Sequence, residues 1–212
     1  MKAAAVAIGL FLLTQLASAS LIPMLSSVTG TPGDYLFTYT AVLSVDEMLN
    51  PGSTTATSDA CPAPGGGNID CNPAGTFLTL YDFNGYDGTN SAPTDWTLTT
   101  QLTGVTPSAI NGADIDLPGV TNLTWMYTGP VVQGDGLTTT YTFTAGSVYG
   151  LTNPDGNYSA QLTKTADGST DQITGPVSVP MAPVPEPGTL FAMGGGLGVL
   201  GLLRRRAPQR RP

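Results

Sequence analysis

No histidine occurs anywhere in the 212 residues, and between Lys2 and Arg204 the only basic side chain is Lys164. These absences remove most familiar chemistry. Ser-His-Asp and Cys-His machinery, histidine-rich zinc sites and arginine clamps on phosphate all need residues that the body lacks. From Ser20 to Pro185 fourteen Asp or Glu stand against that one lysine, a formal charge of -13. Such a surface repels phosphate backbones, which excludes nucleic acid as a partner. Cysteine is equally scarce: only Cys61 and Cys71 are present, on either side of a stretch of Pro, Gly and Asn that turns back readily. Paired in an oxidising compartment, they would close a loop and contribute about 3 kcal/mol in the chain-entropy view. With no histidine to complete a usual ligand set, that pairing is favoured over a metal site. A sustained helical period is also missing from the body.

What the chain does have begins with its two ends. Met1 and Lys2 make a short basic start, an apolar run follows from Ala3 to Leu13, and Ala17-Ser18-Ala19 supplies the small residues that signal peptidase accepts. This pattern is a secretory signal peptide, residues 1–19, cleaved after Ala19. At the other end, a Pro-rich stretch (179–187) leads into an apolar segment (188–203), which stops at Arg204, Arg205 and Arg206. Proline holds the stretch extended, so it is expected to act as a linker standing off the body. As a helix, residues 188–203 would be about 24 Å long, a little short of a ~30 Å hydrocarbon core. Moving three arginines through that core would cost roughly 3 kcal/mol each, so they are expected to stop transfer and stay in the cytoplasm with the rest of 204–212. The region between the ends, residues 20–178, has the length of one domain.

Pro185-Glu186-Pro187 followed by a Gly-containing apolar run and an Arg cluster resembles the PEP-CTERM sorting signal, whose tail is also labelled the ice-binding protein C-terminal domain. The resemblance covers roughly the last 28 residues. It implies recognition of Pro185, Glu186 and Pro187 by exosortase, a membrane-embedded cysteine protease, with Arg204 to Arg206 as the retained basic end. It further implies export, transient anchoring in the inner membrane, and arrival at the cell surface or in extracellular matrix material associated with exopolysaccharide or biofilm. The label names a tail and assigns no activity to the body.

The body reads as strands, because alternation with period two recurs along it. Tyr35, Phe37, Tyr39, Ala41, Leu43 and Val45 share one face, with Thr38, Thr40, Ser44 and Asp46 on the other. Phe77 to Phe83 is apolar on both sides and suits an inner strand. Trp96, Leu98 and Leu102 alternate with Thr97, Thr99 and Gln101, while Leu123, Trp125 and Tyr127, then Tyr141 and Phe143, then Tyr158, Ala160 and Leu162 form further inward sets. Turn signals tolerant of positive φ lie at Asn84-Gly85, Asp87-Gly88, Asn111-Gly112, Asp135-Gly136, Asp155-Gly156 and Asp167-Gly168. The expected fold is all-β, an antiparallel β-sandwich, with long loops at 50–72 and 104–119.

For function, the acids offer two readings. Hard oxygen ligands crowd together in Asp82, Asn84 and Asp87 and again in Asp114 and Asp116, a pattern suited to Ca2+ although neither stretch is an EF-hand loop. Glycoside hydrolysis also runs on two carboxylates, and Asp46, Glu47, Asp82, Asp87, Asp114 and Asp116 qualify by type, yet nothing in their spacing singles out a pair. Thr138, Thr140, Thr142 and Thr144 share one face of a strand, a hydroxyl row that suits ordered water or sugar, although a single run makes a small surface. The sequence therefore points to a noncatalytic exported protein without a cofactor, with a carbohydrate-, calcium- or ice-binding module as one alternative and a carboxylate glycosidase as the other.

Overall fold

The computed structural model describes residues 21–51, 75–112, 115–135 and 139–183. The signal peptide with Ala17 and Ala19, the cysteine pair, Asp114, Thr138, Pro185 to Pro187, the 188–203 segment and Arg204 to Arg206 lie outside the described residues. Eleven strands appear among those described: β1 (Ile22–Thr31), β2 (Asp34–Val42), β3 (Glu47–Leu49), β4 (Phe77–Leu80), β5 (Tyr86–Ser91), β6 (Trp96–Gln101), β7 (Asn122–Tyr127), β8 (Val132–Gln133), β9 (Thr140–Ser147), β10 (Leu151–Lys164) and β11 (Thr170–Met181). Every pairing is antiparallel. One sheet runs β1-β2-β9-β5, and the other runs β6-β7-β4-β10 with β11 along the far edge of β10. The short strands β3 and β8 extend this second sheet beyond the end of β4, because β10 is long enough to pair with β4 at Tyr158 to Gln161 and with β3 at Thr163 and Lys164.

Alternation places the inward side chains of both sheets in one core. Phe37, Tyr39 and Ala41 of β2 and Phe143 and Ala145 of β9 meet Leu78 and Leu80 of β4, Leu123 and Trp125 of β7, and Tyr158 and Ala160 of β10. The Trp125 and Phe143 rings lie 5.2 Å apart, Trp96 and Phe143 5.1 Å, and Phe37 and Phe83 5.7 Å. Each large side chain so enclosed stabilises the fold by roughly 1.5–3 kcal/mol relative to exposure. The Tyr39 hydroxyl donates to the Ser178 carbonyl at 2.9 Å and so ties β2 of one sheet to β11 of the other.

The expectations of inward faces hold for β2, β4, β7 and β10, and fail where strands stop. Val45 is exposed because β2 ends at Val42 and the chain turns before β3. Leu102 is exposed while Gln101 is buried, because β6 ends at Gln101, whose amide donates to Thr99 and accepts from Thr124. Two of the expected turns are irregularities inside strands. Gly88 sits in β5, where the pairing with β9 shifts between Tyr86 and Asn90, and Asp155-Gly156 sits in β10, where the pairing with β11 shifts between Asn153 and Gly156. A side chain at 156 would come within 2.5 Å of Val179, so glycine there permits the close approach of β11.

β11 itself continues to Met181, so Val179 and Pro180 belong to the sheet rather than to the expected linker, and the compact body ends at Met181. Proline is accommodated because β11 is an edge strand, where a residue without an N–H on the outer side breaks no ladder bond.

The second sheet departs from a polar, solvated outer face. Thr79, Thr124, Ser159 and Gln161 point away from the main core yet are buried. The described residues 102–112 of the following loop lie over them, placing Val105 beside Phe77 and Met126 in a small second apolar cluster. The Val105 carbonyl accepts from Thr79 Oγ1 at 2.8 Å and from the Tyr81 hydroxyl at 3.0 Å, which replaces the water those groups would otherwise bind.

Candidate functional site

The acids group differently from their order in the chain. Asp82 adopts φ of 56°, and its carboxylate accepts from the Leu117 N–H at 2.9 Å. Asp116, from the far side of the same loop, accepts from the Gly104 N–H at 2.7 Å and from Asn122 Nδ2 at 3.0 Å, while Asn122 Oδ1 accepts from the Asp82 N–H at 2.8 Å. Burial pushes Asp82 up to about 6, with the nearby negative charge of Asp116 adding to it, and burial raises Asp116 as well. The pair thus clamps both ends of the covering loop through backbone N–H groups.

Asn84 and Asp87 do not join the pair. Asn84 Nδ2 donates to the carbonyls of Asp82 and Pro180, and the Asp87 carboxylate accepts from the Thr89 N–H and lies over Gly146 of β9. Among the described residues no three side chains of His, Cys, Asp or Glu come together closely enough to hold a metal ion.

The outer face of the four-stranded sheet carries more hydroxyls than one run. Register sets Thr38 beside Thr144 and Thr40 beside Thr142, with Ser91 of β5 flanking Thr144 and Ser26 Oγ 2.8 Å from Thr40 Oγ1. Hydroxyl rows therefore repeat about every 6.7 Å along strands and about 4.8 Å between them. Ile22, Met24 and Val42 lie exposed on the neighbouring part of the sheet. The partner row was hidden in sequence because Thr38 and Thr40 lie about a hundred residues before Thr142 and Thr144; only the pairing brings them together.

A third group was not legible as a group at all. Glu47 is fully buried, and no donor reaches either of its carboxyl oxygens. Register sets it opposite Lys164 of β10, whose ammonium lies 3.5 Å from a carboxylate oxygen of Asp171 on β11. Enclosure first, then the negative charges of the neighbouring Asp171 and of Asp46, push Glu47 from an ordinary 4.5 to about 7, against the lowering pull of the Lys164 ammonium. In sequence Glu47 is one acid among fourteen, and its partners lie more than a hundred residues away.

The body is followed by an address. Residues 183–207 match the PEP-CTERM protein-sorting motif. Such signals are recognised by exosortase, so the chain is a substrate for sorting through membrane-bound processing to the cell surface or beyond. No curated protein matches the chain.

Proposed function

We propose that the chain is an exported, noncatalytic β-sandwich that exosortase delivers to the cell surface or to exopolysaccharide-rich matrix. Signal peptidase removes residues 1–19, the apolar 188–203 segment spans the inner membrane transiently with Arg204 to Arg206 on the cytoplasmic side, and processing near Pro185-Glu186-Pro187 releases the body. The observation that carries this reading is the sorting motif, which begins two residues after the last strand. Support for a noncatalytic body comes from the lack of histidine and arginine within it and from the commitment of Asp82 and Asp116 to backbone N–H groups. Cells producing the intact chain are expected to place it outside. Replacing Pro185 and Glu186 with alanine should leave it in the membrane fraction, and a chain ending at Ala182 should escape anchoring altogether. Surface release unchanged by the double replacement would exclude the route.

A second reading is favoured by the paired threonine rows: the outer face of β2 and β9 binds an uncharged, ordered hydroxyl lattice, either polysaccharide or ice. Lysine at both Thr40 and Thr142, which are at least partly exposed, should leave the fold intact and abolish such binding. Glycan arrays with and without Ca2+, together with thermal-hysteresis measurements, check this. Silence of the unaltered chain in all of them removes the reading.

A further inference from the structure

We propose that Lys164 and Asp171 become joined by an isopeptide bond, with Glu47 as the proton carrier. This modification goes beyond the sorting role and does not depend on it.

Three strands bring the three side chains to one place. Lys164 follows Leu162 by two residues on β10, Glu47 precedes Leu49 by two on β3, and Asp171 pairs with Leu162 across β10 and β11. Leu49 and Leu162 are core residues, so alternation sets Lys164, Glu47 and Asp171 on the same side of the sheet at the rim of the core, where Glu47 is buried and the Lys164 and Asp171 side chains remain 44% and 23% exposed. Lys164 Nζ is 3.5 Å from Asp171 Oδ1, which holds the amine against the carboxyl group whose Cγ it would attack.

An ordinary surface ion pair needs only the lysine and the aspartate. It leaves unexplained a third carboxyl group, fully enclosed, with no N–H or O–H directed at it and another carboxyl as its close neighbour. An enclosed carboxylate without a donor is costly, so Glu47 favours a proton and can pass it on. That is the property an amide-forming site requires.

The step balances without any further reactant. Lys164 ammonium gives a proton to the Asp171 oxygen it faces, and the neutral Nζ attacks Cγ of Asp171, forming the C–N bond. The protonated Glu47 gives its proton to the same oxygen, which leaves as water, and the second proton lost from nitrogen restores Glu47. One ammonium and one carboxylate become one secondary amide and one water, with no change in oxidation state and with Glu47 regenerated. Holding both groups in contact replaces the high concentration that amide formation in water would need; effective molarities of about 10^5 M or more are reached by well-oriented groups. The product would bind the start of β11, the strand that leads directly into the sorting tail, covalently to the end of β10.

Trypsin offers a direct test, since Lys164 is the only residue between Lys2 and Arg204 after which it can cut. The full chain, denatured and reduced, is expected to resist cleavage at Lys164. Its mass should be lower by one water than its observed termini require, with a branched peptide linking Lys164 to Asp171. Glu47→Gln should restore cleavage and the full mass. If that variant does not fold, Lys164→Arg serves as the unlinked reference, since it keeps the charge, presents no amine and is cut at the same position. Complete cleavage of the unaltered chain at Lys164, with no water lost, overturns the proposal. A bond that forms equally well in folded Glu47→Gln overturns the role of Glu47.

Discussion

Trp125→Ala is expected to destabilise the body by about 3–5 kcal/mol, a large share of the roughly 5–15 kcal/mol that holds a domain folded. Trp125 lies on β7, flanked by β6 and β4, has no exposed surface, and touches Phe143 of the opposite sheet. Truncation therefore empties volume where the two sheets meet, and neither sheet can collapse into it without breaking ladder bonds. Trp125→Phe separates the packing from the polar part. The indole N–H of Trp125 has no acceptor, so phenylalanine gives up ring volume but also removes an unpaired buried donor. It should cost less than half as much as alanine. Urea unfolding followed through the remaining Trp96 measures both, with an unchanged slope confirming that the unfolded state is not what moved. An alanine variant within about 1 kcal/mol of the parent would mean that the sheets do not share this core.

How much of this could be read beforehand depended on the range of the forces involved. The inward face of β2 was legible because Phe37, Tyr39 and Ala41 alternate with threonines, and β4 because Phe77 to Leu80 is almost entirely apolar. Alternation carries no information about where a strand stops, which is why Val45 and Leu102 were placed inside and lie outside. Nor does it reveal a loop lying over a sheet. Thr79 and Thr124 have the composition of a wet face, and only the Val105 carbonyl, from a segment with no pattern of its own, makes them interior. Asp155-Gly156 has the chemistry of a turn, and a bulge uses the same chemistry. The acids were legible by type but not by company. Asp82 meets Asp116, and Glu47 meets Asp171, through pairings that no local window contains. The sorting motif was legible in full because its meaning resides in a contiguous run of residues and needs no tertiary contact.

Glu47 should make the body less stable as pH rises, the reverse of the usual carboxylate. Its folded value is about 7 against an ordinary 4.5, so the folded state holds a proton that the unfolded state has released. The stabilisation is fully present below about pH 4.5, declines as pH rises, and is lost above about pH 7. At 1.36 kcal/mol per unit the difference amounts to roughly 3 kcal/mol. Asp82, raised to about 6, slopes the same way, so the total profile of the protein does not isolate Glu47. The difference between two variants does. Lys164→Arg keeps the neighbouring positive charge and prevents covalent linkage, so it is the background in which Glu47→Gln is introduced. The glutamine amide brings its own enclosed polar atoms, at about 1–3 kcal/mol, but that cost does not vary with pH. At pH 4.5 the glutamine variant should therefore be the less stable of the two, and by pH 8 it should be as stable as the glutamate parent or more so. Parallel unfolding curves from pH 4.5 to 8 would show that Glu47 carries its charge in the fold without penalty. Enclosure away from every N–H and O–H, beside Asp171 and Asp46, leaves it only the through-space attraction of Lys164, whose ammonium is already paired with Asp171.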